Sequence, residues 1–282
     1  MMTDRSNKID HYATGIPAMD DLTGGGLMEG VTCVAGSSGI GKTSFALQIA
    51  HHAAEKGMPI LYFIGDMFVK TLKAKMVSRE MFTLADSIEV CRSAVELQMP
   101  DLEENLSRYE KELLTRARGR VAKDRIVFVE AAMKSPTVDD FVLLTDTFCH
   151  DAEIPPLIVI DSFSDLLAPW NVEKREKKQY VLHCLKEMAF RNKVPVLLLM
   201  DMPGEMRDRR VSLQEFEEAY PTILSCCDDI FFLEMAEGGD PLRNMWDINL
   251  VGLRTMGVEN MAEQTLKFYP GYSAFRMEDV LS

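Results

Sequence analysis

Apolar, largely β-branched runs recur along this chain at intervals long enough to hold a helix: VTCVA (31–35), PILYFI (59–64), RIVFVE (125–130), PLIVID (156–161), VPVLLLM (194–200) and DIFFLE (229–234). Within each run the apolarity is continuous rather than alternating, which marks strands buried on both faces, as in a parallel sheet covered by helices. Patterns between the runs predict helices over 42–56, 69–81, 102–118, 137–150, 174–191 and 212–219. After them, DINLVGL (247–253), EQTLKFYP (263–270) and GYSAF (271–275) read as a short antiparallel extension. No Pro- or Ser-rich linker, repeat or low-complexity tract interrupts the series, so the expectation is one α/β domain over 1–282, with a core of about 10–277 and a mostly parallel central sheet flanked by helices.

Composition adds little to this picture, but charge adds something. The net charge is −13, and from residue 211 onward thirteen acidic residues face four basic ones, so −9 of it lies there. A protein whose affinity comes from neutralising phosphates usually shows a basic face, and none is obvious here. No stretch approaches the roughly 18 apolar residues of a membrane span, and MMTDRSNKID lacks the apolar core of a secretory signal. The expected location is the cytoplasm. The six cysteines form no C-x-x-C and read as small buried hydrophobes.

The strongest chemical signal is Gly36-Ser37-Ser38-Gly39-Ile40-Gly41-Lys42-Thr43, followed by Ser44. It is a full G-x-x-x-x-G-K-[ST] phosphate loop, with a predicted strand before it and a helix after it. The glycines let backbone N–H groups curl round phosphates at a positive helix N-terminus. Lys42, read as a surface-loop charge, reaches the β- and γ-phosphates, and the Thr43 hydroxyl ligates Mg²⁺. ATP and Mg²⁺ are therefore the expected cofactors.

Two carboxylates stand at predicted strand ends. Asp161 closes PLIVID, at the carboxyl edge where open α/β sheets bind ligands. It is the candidate second support for the metal, against the plainer reading of a helix-capping Asp. Asp66, in YFIGDM, ends the strand after the first crossover helix, a strand expected to adjoin the loop strand or lie close to it. There it can polarise the attacking water; the plainer reading is a solvated turn residue.

The run TGIPAMDDLTGGGLMEGVTCVAGSSGIGKTSFALQIA resembles the opening of RecA-superfamily ATPases, a group that includes RadA-type recombinases, KaiC-like clock ATPases and the C-terminal motor of DnaB-type replicative helicases. YFIGDM, LIVIDSFSDL, LKEMAFRNKVPVLLLMD and INLVGLRTMGVENMAEQTLKFYPGYSAF follow the helicase order over about residues 10–277. The resemblance implies a RecA-like P-loop NTPase core, a ring assembly such as a hexamer, and action on single-stranded DNA in replication. It also implies three departures. Asp66 stands where the family has a catalytic Glu; the side chain is a methylene shorter, and about 1 Å of misplacement can cost about 100-fold in rate. Asp201 stands where the family has a γ-phosphate-sensing Gln; a second negative charge there repels phosphate unless it is paired or turned aside. Gly252-Leu253-Arg254 replaces a Lys-x-Arg pair, losing the Lys and keeping an Arg that can act in trans as an arginine finger, or serve only as a surface strand residue.

The DNA-facing part departs as well. Leu213-Gln214-Glu215-Phe216-Glu217-Glu218 occupies a stretch the family uses for basic and small polar residues. Basic clusters at Arg207/Arg209/Arg210, Lys174/Arg175/Lys177/Lys178 and Arg116/Arg118/Arg120/Lys123/Arg125 lack interleaved aromatics for base stacking and read first as solvated faces. An N-terminal primase-binding domain is not expected, since only about ten residues precede the core. The leading expectation is a DnaB-like motor ATPase; the alternative is a regulatory or assembly ATPase, KaiC-like or RadA-like, with weak or no hydrolysis. A kinase on the same loop finds no lid arginines to single out.

Overall fold

The computed structural model describes residues 11–65, 67–131, 137–206, 210–237 and 244–278. Nine strands form one sheet in the order β3-β2-β4-β5-β1-β6-β7-β8-β9. They are β1 (Gly30–Gly36), β2 (Ile60–Ile64), β3 (Ile126–Glu130), β4 (Leu157–Asp161), β5 (Pro195–Asp201), β6 (Asp229–Met235), β7 (Trp246–Thr255), β8 (Val258–Tyr269) and β9 (Ala274–Arg276). The first six named in the sheet order pair in parallel. The last three add antiparallel strands. The mostly parallel α/β core and its antiparallel extension thus stand as expected from the apolar runs.

Burial explains the continuous runs. All seven residues of β1 and all five of β2 are buried. Along β2, Leu61 and Phe63 point to one core, while Ile60, Tyr62 and Ile64 point to the other. The first core lies under α5 (Val138–Asp151), α6 (Lys177–Asn192), α7 (Leu213–Ala219) and α8 (Ile223–Cys226). The second lies under α1 (Pro17–Thr23), α2 (Lys42–Glu55) and α3 (Val69–Leu84). Edge strand β3 is only partly covered, with Val127 48% exposed.

Two expectations need correction. The helix expected over 102–118 is α4, Arg108–Val121; 102–105 is a separate 3₁₀ turn. Ser107 forms a capping box with Glu110, and that reciprocal pair fixes the start of the helix. Strand β2 does not adjoin the loop strand: β4 and β5 lie between them, three steps of about 4.8 Å or about 14 Å in all. No described helix is long and apolar enough to cross a membrane.

Candidate functional site

The loop 37–41 leaves the carboxyl end of β1 and enters α2, so its backbone lies where β1 changes neighbours, between β5 and β6. Gly41 caps α2 at φ 108, and a Cβ there would stand 2.9 Å from the Phe268 ring and 3.0 Å from Phe275. Only glycine fits under that aromatic pair, which stacks at 4.3 Å between centroids. Phe275 also meets Phe45 edge to face, and its backbone exchanges two hydrogen bonds with Gln48. The antiparallel extension therefore packs directly against the loop and its helix.

Lys42 is not the surface charge that its loop position suggested. It is only 8% exposed, and Nζ donates to the carbonyls of Gly36 (2.9 Å) and Ser37 (3.0 Å). Its third contact is an ion pair with Asp201 Oδ1 at 2.8 Å. Asp201 ends β5 directly opposite Gly36 in the register, so the two neighbouring strands deliver cation and carboxylate to one point. All three ammonium donors are engaged.

Thr43, Ser44 and Asp161 line the same cleft as Lys42 and Asp201, a space of about 290 Å³ that also receives Lys75, Phe268 and Pro270. Asp161 ends β4, and its Oδ2 accepts from the buried Tyr62 hydroxyl at 3.1 Å. Burial, then the Asp161 charge, push the Tyr62 phenol well above its usual pKa, so it stays a donor. The end of β2 is fastened beside it: Gly65 N–H donates to the Asp161 carbonyl at 2.7 Å, and a Cβ on Gly65 would lie 1.9 Å from the Asp165 carboxyl carbon. Hydroxyl and carboxylate oxygens are the hard donors Mg²⁺ prefers, and the donor set of Thr43 and Asp161 in one cleft fits that ion.

Asp66 lies outside the described residues, as do Arg207 and Arg209. Arg254 sits near the far end of β7, paired in register with Ile230 rather than with the loop-proximal Leu233. That places it about 10 Å along the strands from its own phosphate loop, toward the opposite edge of the sheet. Its Nε is buried with no hydrogen-bond partner among the described residues.

The acidic stretch is helix α7, as its pattern predicted, and Glu215 is occupied by capping Ser212. Several members of the basic clusters are held within the fold. Arg118 pairs with Glu103 at 2.5 Å, Arg120 with Glu80 at 3.2 Å and Arg175 with Glu173 at 2.9 Å. Lys178 lies over the Tyr220 ring, and Arg210 pairs with Glu263.

A second charged cluster lies toward the other end of α2. His51, Glu55 and Glu80 bring three metal-capable atoms within 4.8 Å of one another. Burial opposes charge on His51, but the close carboxylates of Asp124 (2.5 Å) and Glu80 (3.1 Å) outweigh it and raise the pKa to about 9. The imidazole is thus occupied by its own proton, and Arg120 already engages Glu80. The cluster is a buried ion-pair network rather than a cation site.

Sequence reasoning passed over Tyr62, Lys75, Phe268 and Pro270, which the fold brings to the cleft. One signal was available for Lys75. With Leu72, Met76 and Arg79 it occupies the i, i+3, i+4, i+7 stripe by which α3 packs, and a cation on such a stripe calls for a partner.

Residues 3–202 match the AAA domain family. Among curated proteins, the chain is 42% identical over 57 residues to the DNA repair protein RadA of Mycolicibacterium smegmatis, a match covering 20% of this chain and 12% of that protein. Among solved structures it resembles an isolated ATPase domain, with a TM-score of 0.79 and 17% identity over 98% of this chain and 94% of that one. It also resembles a DnaB-like replicative helicase studied for its interactions with primase, with a TM-score of 0.77 and 18% identity over 96% of this chain and 64% of that one. At these identities the two structural likenesses are likenesses of fold.

Proposed function

The chain belongs to the AAA domain family, as a RecA-superfamily P-loop ATPase, and on that premise we propose that it hydrolyses ATP in a ring of identical subunits and couples hydrolysis to movement on single-stranded DNA. The observation that carries the ATPase part is the single cleft in which Lys42, Thr43 and Asp161 meet. The DNA part is supported by its relatives, among them a DNA repair protein and a replicative helicase.

In this reading the loop amides from Gly36 to Ser44 wrap the phosphates, and Lys42 holds the β- and γ-phosphates. Thr43 and Asp161 would hold Mg²⁺, which neutralises charge building on the transferred phosphoryl group. Tyr62 fixes the Asp161 carboxylate. Asp66 orients the attacking water. Arg254, remote from its own loop, stabilises the transition state in the neighbouring subunit, so that each hydrolysis alters a contact between subunits. All six cysteines are free thiols, which suits the cytoplasm as its setting.

The test is ATP turnover with and without single-stranded DNA, together with a mixing experiment. A motor is stimulated about tenfold or more by DNA. A mixture of Lys42→Ala and Arg254→Ala chains regains part of the activity that each lacks alone, because mixed interfaces contain one intact site. No rescue on mixing removes the trans role of Arg254. Turnover indifferent to DNA, at low salt and with rings assembled, favours the regulatory reading. One observation already leans that way: Asp201 occupies Lys42.

A further inference from the structure

Among the described residues, four charged side chains face the nucleotide cleft: Lys42 and Lys75 as cations, Asp161 and Asp201 as anions. Lys42 and Asp201 satisfy each other at 2.8 Å. Lys75 is held differently. Its Nζ donates to two neutral hydroxyls, Ser44 Oγ at 3.3 Å and Ser273 Oγ at 3.4 Å, both near the outer limit of a hydrogen bond.

Other partly buried lysines in this chain show what is missing. Lys186 has Asp228 at 2.6 Å and Lys267 has Asp247 at 2.7 Å. Lys75 has no carboxylate within ion-pair distance among the described residues, although α3 carries it on the buried stripe between Leu72 and Met76. Burial lowers its pKa, and only the field of Asp161 works against that. A half-buried ammonium held by hydroxyls has its charge unspent and a donor to spare. Ser44, its nearer partner, directly follows the metal-binding Thr43, so the ammonium stands beside the path of the phosphate chain.

We propose that Lys75 is a second phosphate-binding cation of this site, supplying to the phosphate chain of a bound nucleoside di- or triphosphate the charge that Asp201 draws from Lys42. The inference rests on the nucleotide-site reading above. It gives α3 a direct function: the helix that begins beside the strand end of β2 carries a sensor of phosphate into the cleft. Because Ser273 belongs to the C-terminal extension, nucleotide binding at Lys75 also pulls on the segment that packs over Gly41.

The experiment is calorimetric titration of the full chain with ADP and with ATP, in the presence of Mg²⁺, for the wild type, Lys75→Met, Lys75→Arg and Lys42→Ala. Methionine keeps the apolar stem and removes the charge. Lys75→Met is expected to weaken both nucleotides about tenfold, the weight of one charge-assisted hydrogen bond, and to flatten the salt dependence of binding. Lys75→Arg restores most of the loss. A residue that merely ties α2 to the extension would instead lower the melting temperature without nucleotide and leave the salt dependence unchanged. Wild-type affinity in Lys75→Met, alongside lost binding in Lys42→Ala, overturns the proposal and leaves the site assignment standing. Wild-type affinity in both overturns the site assignment too. Should the variants not fold, acylation of lysines in the wild-type protein serves: ADP is expected to protect Lys75 and not Lys178, and equal labelling of Lys75 with and without ADP overturns the proposal.

Discussion

Lys42 and His51 lie on the same helix, α2, and each holds a positive charge against carboxylates, yet the carboxylates differ in their access to water. The partner of Lys42, Asp201, is 46% exposed on the rim of a cleft. The two closest partners of His51, Asp124 and Glu80 of α3, are each 5% exposed. A rim carboxylate can turn into solvent when a phosphate arrives, at little cost in desolvation. A sealed one has nowhere to go, so its pairing belongs to the fold. Similar charge arithmetic therefore yields a replaceable contact at one end of the helix and a fixed one farther along.

The sharpest way to break this comparison is Lys42→Ala. We expect ATP affinity to fall by at least about three decades, roughly 4 kcal/mol, with a smaller loss of melting temperature than in His51→Ala, because Asp201, the charged partner left behind, reaches water. Calorimetry and thermal unfolding on one sample read both. An unchanged dissociation constant removes the site.

His51→Ala should do the reverse. It leaves Asp124 and Glu80 buried beside each other, and the expected loss is about 3 kcal/mol of stability, with nucleotide affinity per folded molecule kept. Denaturant unfolding measures it. A loss below about 0.5 kcal/mol would mean that Arg79 and Arg120 alone balance the cluster.

The pH dependence comes next in size. The folded pKa of His51, about 9, lies above its ordinary 6.5. Its contribution is therefore fully present below pH 6.5 and is lost as pH rises through 9, a decline of about 3 kcal/mol at most. The fall in melting temperature between pH 6 and pH 9.5 should be smaller in His51→Ala than in the wild type.

Asp201→Asn is the mildest. It removes the competitor for Lys42 while keeping the shape, so ATP should bind up to about tenfold more tightly, about 1.4 kcal/mol. Equal affinity would show that the Lys42–Asp201 pair is no obstacle to phosphate.

The sequence by itself determined the parallel core, because β1, β2, β4 and β5 are buried on both faces and must be apolar throughout, a pattern that needs no partner to be read. It also determined the phosphate loop, whose chemistry is local: glycines, a lysine and a hydroxyl within eight consecutive positions. The starts of α5 and α7 were legible at their capping residues, Thr137 and Ser212, whereas α4 was misplaced because its own cap, Ser107 with Glu110, lay inside the stretch whose periodicity was read as helix. Sheet order was not legible, since strand patterns carry no record of neighbours; β2 proved to be separated from β1 by β4 and β5. Nor was the fate of any charge. Lys42 read as a surface lysine and Lys75 only as part of a helix, and nothing in the pattern singled out His51, because burial, ion pairing and pKa depend on groups from distant stretches such as Asp201, Asp124 and Ser273. Those distances in sequence are closed only by packing, which is why the tertiary structure alone decided which charges this protein has committed and which it keeps for a ligand.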